Sequence, residues 1–331
     1  MKLAAQLAIV AWIGLAASST VRAQEPLESE LQARCERAEL PSELLNDLCQ
    51  DVVASLQLAQ PELGLLLAGG NPVLGTASPI GARFRFIPRV HIGGRINFVW
   101  ADVPDIIDYP SDTLSPLGTL GFVVPMPQAD ISIGVFEGFE LGTTLGGFAS
   151  LELLGTLSTL LLPSGDGFEA NVSGFGLGAR VGLLRESFTA PGISVSGLYK
   201  WLGRVQLGNV DEGDDAEFGA DMRVASFRAG LSKSFVALGL ALTLGYDNYW
   251  SDIDFAIATA PGVVNEIVSE DSPFELASGR WSAFVDVSYI LLFVNIVAEV
   301  GWQEEQRLAG SRELEIESGN LFAALGIRLT L

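Results

Sequence analysis

Histidine is nearly absent from this chain: among 331 residues, His91 alone carries an imidazole. Cysteine is scarce too, with only Cys35 and Cys49. A structural zinc site needs four Cys or His donors held together, and this chain has no such set. Positive charge is the third shortage. Lys and Arg number 19 against 40 Asp and Glu, a formal net charge of −21 that repels nucleic acid and anionic lipid. The fourth absence is a long apolar run. Residues 226–250, SFRAGLSKSFVALGLALTLGYDNYW, are half apolar, yet a polar residue or glycine interrupts them too often for a helix that crosses a bilayer.

What is present begins with the first residues. Lys2, the apolar stretch Leu3 to Leu15 and the small-x-small site Val21-Arg22-Ala23 read as a cleaved secretory signal at 1–23. Without Lys2 and Arg22 the mature chain carries 17 basic against 40 acidic residues, a formal charge of −23. Apolar residues make up 49% and charged ones only 18%, with 37 glycines. A soluble acidic protein shows a more charged surface than that, so the apolar excess faces something other than water. In an exported chain the even pair Cys35 and Cys49 is expected to form a disulfide closing a short loop, worth about 3 kcal/mol.

Residues 24–60 have a helical period. Leu44, Leu45, Leu48, Val52 and Leu56 make one apolar stripe, and Pro41 stands where a helix starts. With a shorter helix over ESELQARCERAEL they predict an amphipathic α-hairpin stapled by the two cysteines. From residue 61 the period changes to two. Phe175, Leu177, Ala179, Val181 and Leu183 oppose Gly174, Gly176, Gly178, Arg180 and Gly182; Leu238, Leu240, Leu242, Leu244 and Tyr246 oppose Gly239, Ala241, Thr243, Gly245 and Asp247. The same split recurs over 281–289 and 321–331. A soluble sandwich also alternates, but its outward side is rich in Lys, Glu and Thr, whereas the polar parity here is mostly Gly, Ala and Ser.

Length separates the two readings further. The alternating runs last about ten residues, the span a tilted strand needs to cross hydrocarbon, against about five or six in a soluble sheet. Trp100, Tyr199, Trp201, Tyr246, Tyr249, Trp250, Trp281, Tyr289 and Trp302 gather near strand ends, as an interfacial girdle does. Strands in lipid must pair on both sides, so they close into a barrel. Expected strands are 79–86, 90–101, 129–137, 147–161, 170–185, 191–206, 219–233, 237–252, 278–290, 292–304 and 319–331, joined by alternately short and long connections. An exported N-terminus requires one further crossing between Gln60 and Ser78. PELGLLLAGG supplies it as a twelfth strand, or else it extends the helix and plugs the lumen, with Gly69-Gly70 as its cap.

Signal peptide, ten-residue dyad strands, girdle aromatics and a strand ending at Leu331 together resemble a bacterial outer-membrane β-barrel protein of porin or small-channel type, over residues 61–331. The resemblance implies an all-β transmembrane fold, a closed antiparallel up-and-down barrel of about twelve strands after a short N-terminal α-hairpin, located in the outer membrane. It implies contact with outer-membrane lipid and lipopolysaccharide and insertion by the barrel-assembly machinery, whose terminal Phe or Trp signal is replaced here by Leu331. The function it implies is passive passage of small solutes; the alternative is a non-conducting structural or adhesion barrel with acidic extracellular loops.

Polar parity places nine charges toward the lumen: Arg95, Asp130, Glu152, Arg180, Lys200, Arg228, Asp286, Glu299 and Arg328. They form either a charged constriction or an ion-pair network that fills the barrel. Surplus acid falls to the loops, where Asp211, Glu212, Asp214 and Asp215 are weak metal-ligand candidates that do not match a calcium-loop spacing. No catalytic residue and no cofactor is assigned. His91 is the sole candidate base for a lipase-like barrel, and beside Arg89 at an expected turn it reads more simply as an exposed or interfacial side chain.

Overall fold

A computed structural model describes residues 33–38, 40, 42–80, 82–84, 87–104, 119–142, 145–162, 171–210, 213–260, 263–271, 273–305, 307–309, 315–317 and 321–331. The expected signal peptide at 1–23 and the start of the hairpin lie outside these residues. Ten strands form the wall: β1 (Val90–Pro104), β2 (Thr119–Phe136), β3 (Ser150–Leu160), β4 (Val172–Leu184), β5 (Gly192–Leu207), β6 (Ala216–Phe235), β7 (Leu238–Ala260), β8 (Phe274–Leu291), β9 (Val294–Gln303) and β10 (Leu321–Thr330). Each pairs antiparallel with its sequence neighbour, and β10 closes on β1 through a register running from Phe322↔Val99 to Thr330↔His91. A further strand, Val263–Val268, extends the far end of β7 beyond the point where β8 leaves it.

The wall has ten strands, with Val263–Val268 as one more paired to β7, close to the twelve or so expected. Because β1 and β10 are hydrogen-bonded to each other, no gap remains for the expected strand at 79–86. Within that stretch Ala82–Phe84 pairs instead with Ile87–Pro88 in a small hairpin of its own. Nor is 61–70 a strand. A single helix, α1 (Glu43–Ala68), runs through Pro61 and ends at Gly69, whose φ of 66° and N–H to the Leu65 carbonyl (2.9 Å) cap it. The boundary drawn at residue 61 thus falls inside a helix. Its N-cap is Ser42, whose hydroxyl accepts from Leu45 N (3.2 Å); Pro41 lies outside the described residues.

The helix stands inside the barrel, which explains why it is not amphipathic in the expected sense. From Leu48 to Ala68 almost every side chain is buried, the polar Asp51, Gln60 and Glu62 included. A helix buried on all sides has no solvated face. Its N-terminal end lies toward the long connections, where Cys35 and Cys49 form a buried disulfide and the Arg34 guanidinium stacks over Phe274. Its C-terminal end lies at mid-barrel. Residues 69–80 then continue as a strap toward the short-turn end.

Outside, the wall is apolar. Leu153, Leu157, Phe175, Leu177, Leu240, Leu242, Leu244, Val285, Val287, Ile296, Val300, Leu325 and Ile327 are exposed. That is the pattern of a surface matched to hydrocarbon. Aromatic rings cluster toward the long-loop side of this belt: Trp201 stacks on Phe175 (4.7 Å between centroids) and packs beside Tyr199, and Tyr246 packs on Trp281 (5.0 Å). Tyr249 departs from the expected girdle. It is fully buried in the lumen and donates to Gln303 Oε1 (2.6 Å).

Candidate functional site

The inward row of each strand changes character along the barrel axis. On β6, from the short-turn end, it reads Ser232, Gly230, Arg228, Ser226, then Val224, Met222, Ala220, Phe218 and Ala216; on β7 it reads Gly239, Ala241, Thr243, Gly245, Asp247, then Tyr249, Ser251, Ile253, Phe255 and Ile257. Polar side chains line the half nearer the short turns, and apolar ones line the half nearer the long loops. The plug has the complementary order. Apolar residues of α1, among them Leu48, Val52, Leu56, Leu65 and Leu66, join Val99, Val124, Met222, Phe255 and Phe322 of the wall in one core. Below them runs the extended strap, whose peptide groups need partners.

Each of the nine charges assigned to the lumen lies inside it, eight of them buried and Asp130 nearly so. Three ion pairs link strand to strand. Arg95 Nε meets Asp130 Oδ2 at 3.1 Å, Arg180 Nη2 meets Glu152 Oε2 at 2.5 Å, and Arg228 Nη1 meets Asp247 Oδ1 at 2.6 Å. The same three guanidiniums and that of Arg328 grip the strap: Arg228 donates to the carbonyls of Gly69 (2.7 Å) and Gly70 (3.3 Å), Arg95 to Asn71 (3.0 Å), Arg180 to Thr76 (3.1 Å) and Arg328 to Leu74. Lys200 lies by the helix end, where a Cβ on Gly69 would stand 3.6 Å from its Nζ. The acids hold strap N–H groups. Glu299 Oε2 accepts from Asn71 N (2.9 Å), Asp286 Oδ2 from Asn71 Nδ2 (2.8 Å) and Glu152 Oε1 from Ile80 N (2.7 Å).

Asp286 and Glu299 face each other across the β8–β9 ladder, so Asn71 is held by two adjacent carboxyl groups at once. Higher up, Gln60 donates to the Leu276 carbonyl (2.7 Å) and accepts from Ser278 (2.8 Å), and Gln303 donates to the carbonyl of Pro61 (3.3 Å). The wall thus clasps the plug by hydrogen bonds from Gln60 to Ile80. A cavity lined by Pro72, Val73, Leu74, His91, Asp130, Ser132 and Arg328 has room for about one water molecule.

Several of these partners were not among the charges read from the sequence. Asp247 lies on the inward parity of β7, so the alternation itself could have added it. Asn71, Gln60 and Gln303 carried no such signal, because their roles depend on where the plug rests. His91 is a correction: it is buried in the lumen beside Arg328, not exposed at a turn, since its parity on β1 is that of Arg95. Asp214 caps a turn by accepting from Asn209 N (2.8 Å); Asp211 and Glu212 lie outside the described residues. Arg89 donates to the Ile80 carbonyl (3.1 Å), which pins the end of the strap.

No protein-family model matches the chain, and no curated protein matches it. Among solved structures it is similar to the outer-membrane protease OmpT of Escherichia coli, at 12% identity over 74% of this chain and 96% of that one, with a TM-score of 0.36. The translocator domain of the autotransporter NalP from Neisseria meningitidis matches at 12% identity over 73% and 88%, with a TM-score of 0.39. The KdgM porin matches at 12% identity over 73% and 99%, with a TM-score of 0.26. None of these likenesses is close enough to transfer a function to this chain.

Proposed function

We propose that the chain is an outer-membrane barrel of the channel kind, held closed by its own N-terminal segment, and that small solutes pass when the strap over 69–80 leaves its seat and draws helix α1 out of the lumen with it. The belt of exposed leucine, valine and isoleucine supports the membrane location, with lipid and lipopolysaccharide as its surroundings and the barrel-assembly machinery as the route of insertion. One observation carries the gating. Arg95–Asp130, Arg180–Glu152 and Arg228–Asp247 are pairs within the wall, so moving the strap leaves those charges neutralised and a polar passage behind it. The nine inward charges are then the lining of that passage.

The rival is a barrel that never opens and serves surface structure through its acidic loops. The number of hydrogen bonds that clasp the strap favours it. A crosslink separates the two. A Cβ on Gly230 would stand 3.1 Å from that of Ala77, close enough for Ala77→Cys with Gly230→Cys to join strap and wall. In planar-bilayer recording the native protein should show discrete conductance steps, the oxidised double variant none, and reductant should restore them. Silence from correctly inserted native protein would establish the closed barrel.

A further inference from the structure

The two shortest turns of the barrel carry side chains that water does not favour. β6 and β7 are joined by Val236-Ala237, and β8 and β9 by Leu292-Phe293. Val236 and Leu292 are 102% and 94% exposed, and both have positive φ, 58° and 55°. In a two-residue hairpin turn glycine is the usual occupant of such a position, and a β-branched residue there is an outlier. A third tip, Phe188 in the turn between β4 and β5, is 99% exposed. Conformation and exposure argue against Val236 and Leu292 in an aqueous turn, and exposure argues against Phe188.

One carbonyl of each two-residue turn bonds to a neighbouring strand. The Ala237 carbonyl accepts from Ile290 N (2.7 Å) on β8, and the Phe293 carbonyl accepts from Thr330 N (3.2 Å) on β10. In the β4–β5 turn, Lys233 Nζ donates to the carbonyls of Ser187 (2.6 Å), Phe188 (3.0 Å) and Ala190 (3.3 Å). Two charges lie at these tips, Lys233 and Glu186, and both are spent on the turns' own groups: the long stem of Lys233 lets its ammonium serve the β4–β5 turn, and Glu186 Oε1 accepts from Ser234 N (2.6 Å). Turn carbonyls that bond to protein rather than water are what an apolar solvent demands.

The height of the apolar belt points the same way. On β7 the outward apolar row runs from Val236 through Leu238, Leu240, Leu242 and Leu244 to Tyr246, beyond which Asn248, the girdle residue Trp250 and Asp252 face out. Ten residue steps at roughly 3.3 Å, inclined by about 40°, span roughly 25 Å, the thickness of the lipid-facing band of such barrels. On β8 the corresponding row runs from Trp281 to Leu291, beyond which Glu275 faces out. Hydrocarbon that began a full turn above the tips would reach toward Asp252 and Glu275 at its other boundary.

We propose that the β6–β7 and β8–β9 turns, with Phe188 beside them, are sunk in the acyl chains of the periplasmic leaflet, so that this side of the wall has no water-exposed end. The proposal rests on the membrane location above and fixes how deeply the barrel sits. Its partner is phospholipid, because on β7 and β8 the tips continue the lipid-facing belt without a break. The test uses the full chain in phosphatidylcholine vesicles with Val236→Cys, Leu292→Cys or Phe188→Cys, each bearing an environment-sensitive fluorophore; the native cysteines are joined and buried. Leu244→Cys reports the mid-belt and Glu270→Cys the exposed long loops. All three tips should be quenched by spin label on lipid chains as Leu244→Cys is, and shielded from iodide. Iodide quenching equal to that at Glu270→Cys would overturn the proposal, and exclusion of both quenchers would overturn it in favour of a protein partner. Loss of lipid quenching at Leu244→Cys as well would overturn the membrane location with it.

Discussion

Replacing Gly70 with alanine separates plug from wall by the smallest possible change. A Cβ there would overlap the carboxylate of Glu299, which is buried and holds Asn71 N at 2.9 Å. Gly70 has no positive φ, so alanine adds no backbone strain of its own. Overpacking of this kind costs about 1–3 kcal/mol. If the strap relieves it instead by moving off Glu299, the hydrogen bond given up there is worth about 1.5–3 kcal/mol. Opposing either loss is the smaller chain entropy of alanine in the unseated strap, about 0.4–1 kcal/mol. The net loss is about 1.4 kcal/mol, which is tenfold, so the unseated strap becomes about one order of magnitude more populated. Hydrogen exchange over 69–80 should accelerate accordingly, while the amides of β6 and β7 keep their protection. Channel openings should become more frequent in the same bilayer recording. Gly94→Ala is the control, because its Cβ would meet nothing within 4 Å. Equal exchange in the two variants would refute the claim that Glu299 seats the strap.

Two further outcomes follow from the lumen and the mouth. Arg180→Met leaves Glu152 buried without its guanidinium and should lower stability by about 3–5 kcal/mol in urea titration of micellar protein; adding Glu152→Leu should recover most of that loss. Cys35→Ser with Cys49→Ser opens a loop of sequence separation 14, which should remove about 3 kcal/mol from the N-terminal segment. Differential scanning calorimetry and exchange over 42–60 would register it, and native unreduced protein should bind no thiol reagent.

The wall was legible because lipid enforces a strict rule on it. From residue 90 onward most expected strand ends fall within about four residues of those observed, and the leucine-bearing parity faces out as the alternation predicts; the exceptions are the start of β2 and the far end of β7, which continues to Ala260 where a loop was expected from 253. β2 is the largest miss. Its first half, TLGFVVPMPQ, lies in the long connection expected between 101 and 129, yet it is paired strand, with Pro125 and Pro127 in register opposite Phe98 and Ile96 of β1. The paired register with β3 extends only from Gln128 to Phe136, and beyond it Leu161 N donates to the Pro125 carbonyl. The missing proline N–H groups therefore fall on an edge with no ladder to complete, the place where a strand tolerates them.

The plug was harder to place, because no local period distinguishes a helix packed against another helix from one packed against the inside of a barrel. The decisive signal was in the wall rather than in 43–68. On β6 and β7 the inward row turns from Ser, Thr, Arg and Asp to Val, Met, Phe and Ile as it approaches the long loops. An open aqueous lumen gives no reason for that change, whereas an apolar helix in one half and an extended strap in the other account for it residue by residue. It also settles the count of crossings. The chain passes from the long-loop end to the short-turn end through the lumen, as helix and strap. The wall can then begin and end on the same side with an even number of strands, and the crossings assigned to 61–78 and 79–86 are not required.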